Sequence, residues 1–160
     1  LGIKISEEMS YYKSSSVYGP AIKGKSNLYK LFICKGLKVT SSKGYFSFIV
    51  PMALMGDEQS AGLRKLFFSK AQFCSLEVFP QKDNSRKRVF PEAKLTTIIF
   101  IVKNLLSSSQ FGIRTHSGRT IDDFTPTAFV SPHEIKKFDP VNYTIPACIQ
   151  RDWEIIPPYS

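Results

Sequence analysis

One stretch of the sequence decides the fold: "SNLYKLFICKGLKVTSSKGYFSFIVPMALMGDEQSAGLRKLFF", residues Ser26 to Phe68. Ser26 is placed to cap a helix, and apolar residues then recur at helical spacing at Leu28, Leu31, Phe32 and Leu37. The run Tyr45–Pro51 is apolar and ends at a proline, which predicts a buried parallel strand. In residues 56–71 the acidic residues come first, and the apolar stripe and the basic residues follow. This order predicts a second helix.

Two further apolar segments predict the next strands. Phe73–Phe79 and Leu95–Val102 are rich in β-branched and aromatic residues. The order helix, strand, helix, strand, strand predicts an α/β sheet with a parallel part and a final antiparallel return. The connection between these strands, Pro80–Lys94, is too long for a tight hairpin turn, and unstructured loops of that length are usually functional or disordered.

Beyond Leu105 the sequence becomes polar and is punctuated by prolines. We predict an irregular extension there, with one short strand at Phe111–Thr115 and a short helix capped by Ser131. The predicted domains are therefore residues 1–105 and a linker or extension over residues 106–160 that leads toward a second domain. The chain opens Leu-Gly-Ile-Lys without an initiator methionine, from which we expect a piece of a longer protein.

Composition narrows the classes of function. The chain has 160 residues, 42% of them hydrophobic, and a formal net charge of +9. This predicts a folded domain whose partner is nucleic acid or another anionic surface. The three cysteines are widely spaced, which disfavours a zinc site and indicates a reducing, cytoplasmic setting. Cys34 and Cys74 lie in apolar stretches and are expected to be buried thiols. No signal peptide or membrane-spanning run is recognisable.

Catalytic residues are not evident in this sequence. His116 and His133 stand apart from any nucleophile and are expected to be surface or helix-capping residues. Carboxylates such as Glu58, Glu77 and Asp83 form no recognisable pair, and the glycines form no phosphate-binding loop.

The connection Pro80–Lys94, which we call the basic loop, is more informative. It carries five cations against two acidic residues: Lys82, Arg86, Lys87, Arg88 and Lys94. Such a run is either a solvated loop or a set of phosphate contacts. The tripeptide Val-Phe-Pro occurs at both ends, with Phe79 and Phe90 at its centres. A phenylalanine there either ends a strand and packs in the core or stacks on an unpaired base.

The opening stretch resembles the segment that follows the Asn-Pro-Pro-Tyr motif in adenine-specific DNA methyltransferases of type II restriction–modification systems, both TaqI-like and fused restriction–methylation enzymes. The family pattern is a Leu-Tyr-x-x-Phe helix, a Lys-Pro-Gly-Gly turn, an apolar strand ending in Val-Pro, and a Leu-Arg-x-x-Leu helix. These elements stand at Leu28–Phe32, Ser41–Gly44, Ile49–Pro51 and Leu63–Phe67, with the turn degraded to Ser-Ser-Lys-Gly. The second Val-Phe-Pro and the Thr-Thr-Ile-Ile strand after it continue the match.

The resemblance implies the C-terminal half of a class I (Rossmann-like) methyltransferase sheet with an antiparallel last strand. It also implies transfer of a methyl group from S-adenosylmethionine to N6 of a flipped adenine in double-stranded DNA, with no metal in that step. By position in the family pattern, Phe32 and Leu28 would contact the cofactor. Phe90 would stack on the flipped base, because Phe79 lies too far upstream of the last strand.

The family's glycine-rich cofactor loop and its Asn-Pro-Pro-Tyr motif do not occur in this sequence. The resemblance therefore implies that this chain alone is inactive and holds no catalytic residue. A complete enzyme would supply the missing half, with possible fused nuclease and target-recognition domains. The alternative is a non-catalytic DNA-binding or specificity module of a restriction system.

Overall fold

The computed structural model describes residues 9–23 and 27–155. The strands are β1 (Tyr45–Pro51), β2 (Gln72–Phe79), β3 (Thr97–Lys103), β4 (Phe111–Thr115) and β5 (Thr127–Val130). The helices are α1 (Leu28–Val39), α2 (Ala53–Gly56), α3 (Ala61–Lys70), α4 (Pro132–Phe138) and α5 (Gln150–Ile155). Two 3-10 turns lie at Gly19–Ala21 and Glu58–Ser60, and residues 9–14 are also helical.

The strands form one mixed sheet in the order β1-β3-β2-β4-β5. Strand β3 runs antiparallel to both of its neighbours, β1 and β2, which confirms the predicted α/β class and the antiparallel last strand. Strand β4 is parallel to β2, and β5 is antiparallel to β4. Strands β1, β2 and β4 therefore end at the same side of the sheet, which we call the carboxyl edge.

One face of the sheet carries the hydrophobic core. Val50, Leu76 and Phe100 are buried there together with Leu31 of α1 and Phe67 of α3. The aromatic rings interlock, with the Phe67 and Phe100 ring centroids 5.2 Å apart. Alternation along the strands places every second side chain on this face, whereas the sequence predicted continuous apolar runs without distinguishing the two faces.

The other face of the sheet is more open, and it corrects the prediction for β1. Ile49 and Ile101 are exposed on this face, and Val50 is the one buried residue of β1. Strand β1 was predicted as a buried parallel strand, but it lies at the sheet's edge and is antiparallel to its neighbour β3. An edge strand has a neighbour on one side, so an apolar run does not ensure burial.

Two buried cations connect the helices to distant loops. The Arg64 guanidinium is fully buried and donates to the carbonyl oxygens of Leu54 (3.0 Å), Asp57 (2.8 Å) and Asn142 (2.8 Å). Lys30 is also buried and donates from Nζ to the carbonyl of Gln59 at 3.0 Å. Burial lowers the pKa of both groups. The arginine of the Leu-Arg-x-x-Phe sequence is therefore a structural residue.

Helix starts differ in detail from the prediction. Helix α1 begins after Asn27, and Ser26, its predicted cap, lies outside the described residues. The acidic residues expected in the first turn of the second helix form a separate 3-10 turn, in which the Asp57 side chain accepts from the backbone N–H of Gln59. Helix α4 is capped by Ser131 as predicted, with Glu134 completing a capping box.

The region after Leu105 has more structure than expected. The predicted strand at Phe111–Thr115 is confirmed as β4, but β5 was not predicted. Four residues are too short for a clear period-2 pattern, which explains the omission. Both strands belong to the sheet, and the division of domains at residue 105/106 remains a prediction.

The cysteines divide into different environments. Cys34 is buried in α1, where burial raises the pKa of its thiol to about 11. Cys74 was expected to be buried but is exposed, because it lies at the register shift between Phe73 and Ser75 of β2. None of the described helices is long and apolar enough to cross a bilayer.

Candidate nucleic-acid interface

The carboxyl edge of the sheet gathers the candidate functional residues. Pro51 at the end of β1 and Phe79 at the end of β2 are both paired with Thr97 at the start of β3. In open α/β sheets, ligands bind outside the carboxyl ends of the strands. Thr97 is fully buried, and its Oγ1 has no hydrogen-bond partner among the described residues.

The basic loop leaves this edge directly after β2 and is organised by Asn84. The Asn84 backbone carbonyl accepts from the N–H groups of Lys87 (3.0 Å) and Arg88 (3.1 Å), and its side-chain Oδ1 accepts from the N–H of Arg86 (3.0 Å). Of the predicted phosphate-binding cations, Lys82, Arg86, Lys87 and Lys94 are exposed and Arg88 is half-buried. Lys94 Nζ lies 3.1 Å from Asp83 Oδ1, and both side chains stay mostly exposed. The arrangement suits contact with a polyanion, because the charged ends are accessible.

Phe90 lies near the end of the basic loop and is 45% exposed. Its backbone carbonyl accepts from the N–H of Ala93 at 3.1 Å, which holds the chain in a turn. The ring stacks on no other ring of the described residues. Nearly half of this side chain is therefore accessible to a ligand.

Phe79, unlike Phe90, is buried and packed against another ring. It is 2% exposed, and its ring stacks on His116 with centroids 5.0 Å apart and planes 24° from parallel. The expected strand-end packing of Phe79 is confirmed. The prediction of a surface or capping role for His116 is wrong, because its side chain is fully buried; His133 is exposed at the start of α4.

A buried polar cluster lies beside Phe79. The Glu77 carboxylate accepts from Arg114 Nη2 at 2.8 Å and from Nε at 3.0 Å, and its Oε2 lies 2.7 Å from His116 Nε2. The backbone N–H of Asp122 donates to His116 Nδ1 at 3.4 Å, so Nδ1 is a hydrogen-bond acceptor. The Nε2–H group of His116 then donates a hydrogen bond to the Glu77 carboxylate. Burial acts to raise the pKa of Glu77, but the bonds from Arg114 and His116 outweigh it and the net pKa shift is downward.

Sequence reasoning missed this cluster. Glu77 and Arg114 are register partners across the parallel pair β2 and β4, and they are separated by a long stretch of polar sequence. No short spacing pattern could signal their contact. Among the described residues, no group of three His, Cys, Asp or Glu side chains gathers as a metal site.

The predicted cofactor residues lie on the exposed side of α1. Leu28 and Phe32 are both largely exposed, so they do not belong to the core-facing stripe that the sequence predicted for this helix. Phe32 stacks on Phe48 with centroids 6.4 Å apart. The start of α1 lies toward the carboxyl edge, because Lys30 reaches Gln59 in the segment that follows β1. An accessible aromatic platform of this kind fits a flat heterocycle.

Comparisons with known proteins agree with this fold. The chain is similar in structure to the type IIG restriction endonuclease BpuSI, with a TM-score of 0.63 and 10% sequence identity over 88% of the chain. That likeness shows the fold, and the chain spans 18% of the length of BpuSI. No curated protein is similar enough in sequence to count as a match. Residues 3–85, just over half of the sequence, match the family described as Eco57I restriction-modification methylase. The chain therefore belongs to the Eco57I restriction-modification methylase family.

Proposed function

We propose that this chain is part of a site-specific DNA adenine-N6 methyltransferase of a restriction–modification system. The complete enzyme would transfer a methyl group from S-adenosylmethionine to an adenine flipped out of double-stranded DNA. Catalysis would depend mainly on the positioning of the base and the cofactor. Family membership supports the methylase class, and the adenine-N6 specificity is the finer part of the proposal.

The observation that carries the proposal is the exposed Phe90 ring beside the cations of the basic loop. An enzyme that modifies a base must take it out of the duplex, which costs the base its stacking. A flat ring at the carboxyl edge replaces part of that stacking, and the exposed lysines and arginines neutralise the adjacent phosphates. Both features lie on one loop that leaves the sheet where ligands bind.

S-adenosylmethionine is the proposed cofactor, and it would supply the methyl group. Phe32 fits the role of a platform for its adenine, because one side of the ring is supported by Phe48 while the residue remains exposed. Leu28 lies one helical turn earlier on the same side of α1 and would add apolar contact.

The chain by itself is proposed to be inactive. The Asn-Pro-Pro-Tyr motif, which would position the adenine amino group, does not occur in this sequence. We expect titration calorimetry to detect weak or no binding of S-adenosylmethionine to the 160-residue chain. Micromolar binding would show that the remainder of the enzyme contributes less than proposed.

The proposal is tested in the full-length enzyme that contains this chain. Duplex DNA is incubated with S-adenosylmethionine and digested to nucleosides, and mass spectrometry identifies the methylated base. We expect N6-methyladenine, and methylated cytosine alone would contradict the proposal. Phe90→Ala should lower kcat/KM for DNA methylation, whereas Phe129→Ala, which changes another exposed phenylalanine of the sheet, should leave it unchanged.

The same experiment separates the proposal from its alternative. DNA binding without any methylation by the full-length protein would favour a non-catalytic specificity module. A cytoplasmic setting is also part of the proposal, and it agrees with free thiols at Cys34, Cys74 and Cys148.

A further inference from the structure

We propose that a second loop, residues 116–126, is a further DNA-contacting element in which the Phe124 ring packs against the bases. This inference rests on the proposed function, and its test is chosen so that the two can fail separately. It assigns a binding role to a loop that lies outside the part of the chain matched by the family.

The position of the second loop places it beside the basic loop. Strand β4 is parallel to β2, so the two loops leave the sheet at the same carboxyl edge. The backbone N–H of His116 donates to the carbonyl of Val78 at 2.8 Å, which continues the pairing to the last residues of both strands. A duplex that lies on the cations of the basic loop therefore has the second loop as its neighbour.

The second loop is held in one conformation by buried and local hydrogen bonds. His116 Nδ1 lies 3.2 Å from Thr125 Oγ1 and also accepts from the backbone N–H of Asp122. The Asp122 side chain accepts from the N–H of Phe124 at 3.0 Å, and its carbonyl accepts from the N–H of Thr125 at 3.0 Å. These bonds fix the backbone on both sides of Phe124, so the ring is presented on a preorganised turn.

Phe124 is the large apolar residue that this turn exposes. Its side chain is 92% exposed, the highest fraction among the large hydrophobic residues described. A ring exposed to this extent adds almost no buried apolar area to the turn that connects β4 to β5. Ordering the backbone while leaving the ring free is the arrangement expected of a contact residue, because little backbone entropy remains to be lost on binding.

The charges around Phe124 favour contact with bases rather than with phosphates. Asp122 and Asp123 directly precede Phe124 in the sequence, and two carboxylates so close argue against a phosphate at this point. The Asp122 carboxylate is occupied by the N–H of Phe124, and Asp123 lies 3.8 Å from Arg114 Nη1. An apolar side chain that enters DNA does so between base steps or in the space left by a flipped base. Phe124 has the chemistry for that position, and the basic loop has the chemistry for the backbone.

The two loops are distinguished by the salt dependence of DNA binding. The affinity of the 160-residue chain for a fluorescent duplex is measured by anisotropy at several salt concentrations. Lys87→Ala removes a phosphate contact and should make the salt slope shallower by about one. Phe124→Ala should weaken binding roughly tenfold at every salt concentration, without changing the slope. Phe124→Leu should be intermediate, because it keeps apolar contact but loses the flat ring.

Phe129→Ala is the matched control, because Phe129 is 53% exposed but pairs with Gly112, away from the carboxyl edge. It should leave affinity and slope unchanged. If Lys87→Ala acts as expected and Phe124→Ala does not weaken binding, the inference is overturned while the proposed function stands. If the chain binds no DNA, or if Lys87→Ala has no effect on the slope, the inference and the phosphate-binding role of the basic loop are both overturned, whereas the proposed methylation is decided separately by the nucleoside assay of the full-length enzyme. A Phe124→Ala protein with a changed melting temperature would also count against the inference, because it would give Phe124 a structural role.

Discussion

The two copies of Val-Phe-Pro, at Val78–Pro80 and Val89–Pro91, have the same chemistry and opposite environments. Phe79 is 2% exposed and Phe90 is 45% exposed. The difference comes from the strands around them. Phe79 is the last residue of β2, where Thr97 pairs with it and His116 stacks on it, whereas Phe90 lies outside the strands on the basic loop. Tertiary pairing, and not the tripeptide, determines which phenylalanine is structural.

The largest expected effect that tests this comparison is on stability. Phe79→Ala should lower the free energy of unfolding by about 4 kcal/mol, because it leaves a cavity beside His116. Phe90→Ala should change it far less, by about 0.5 kcal/mol, because the ring is nearly half exposed and lies on a loop outside the core. Urea unfolding of the 160-residue chain measures both values. Equal losses of unfolding free energy for the two variants would contradict the division into one structural and one accessible phenylalanine.

A smaller loss of stability is expected when the polar cluster beside Phe79 is disrupted. Glu77→Gln should lower the free energy of unfolding by about 2 kcal/mol at pH 7, less than for a fully buried ion pair because Arg114 is partly exposed. The folded-state pKa of Glu77 lies below its usual value of 4.5, so the stabilisation is complete above pH 4.5 and is lost as the pH falls through the folded-state pKa.

Urea unfolding at pH 7 and at several values below pH 4.5 checks the direction of this pH dependence. The difference between wild type and Glu77→Gln should shrink as the pH falls. A difference that grew in acid would show that the Glu77 pKa is raised in the folded protein.

The third effect concerns DNA and should reverse the ranking of the two phenylalanines. Phe90→Ala should weaken the affinity of the chain for a duplex with a mispaired adenine by about 1.4 kcal/mol, or tenfold, because base–ring stacking is lost. Phe90→Tyr should bind like wild type, because the flat ring is kept. Anisotropy titration measures both, and an unchanged affinity for Phe90→Ala would leave the basic loop as a charge-only contact.

The smallest effect compares two ion pairs. On the basic loop, Asp83 Oδ1 lies 3.1 Å from Lys94 Nζ, but both side chains are mostly exposed. Asp83→Ala should therefore change the free energy of unfolding by less than about 0.5 kcal/mol, since solvent screens exposed pairs. Thermal unfolding of this variant beside Glu77→Gln provides the measurement. A larger loss for Asp83→Ala would mean that the loop contributes to the folded core.

The sequence predicted the parts of this molecule that depend on local patterns. Apolar periodicity indicated the helices around Leu31 and Phe67, short apolar runs indicated the strands that carry Val50 and Phe100, and their order indicated the α/β sheet. A prediction of burial from apolar runs alone was less accurate, as Cys74 shows.

The contacts between distant segments could not be read in the same way. Glu77, Arg114 and His116 become one cluster only when β2 and β4 pair in parallel, which no local pattern specifies. Phe90 was selected by its position in a family pattern. The structure shows that its ring is accessible, and its role with a flipped base remains a proposal.

The buried guanidinium of Arg64 has a consequence for how the protein unfolds. Its carbonyl partners lie before α3, at Leu54 and Asp57, and far along the chain at Asn142. If the stretch around Asn142 detached while the sheet stayed folded, an unsolvated charge would lose one of its acceptors, at a cost too large for a local fluctuation. Detachment of that stretch is therefore coupled to the opening of the core, and amide hydrogens of α3 and of the Asn142 region should exchange together in one cooperative event.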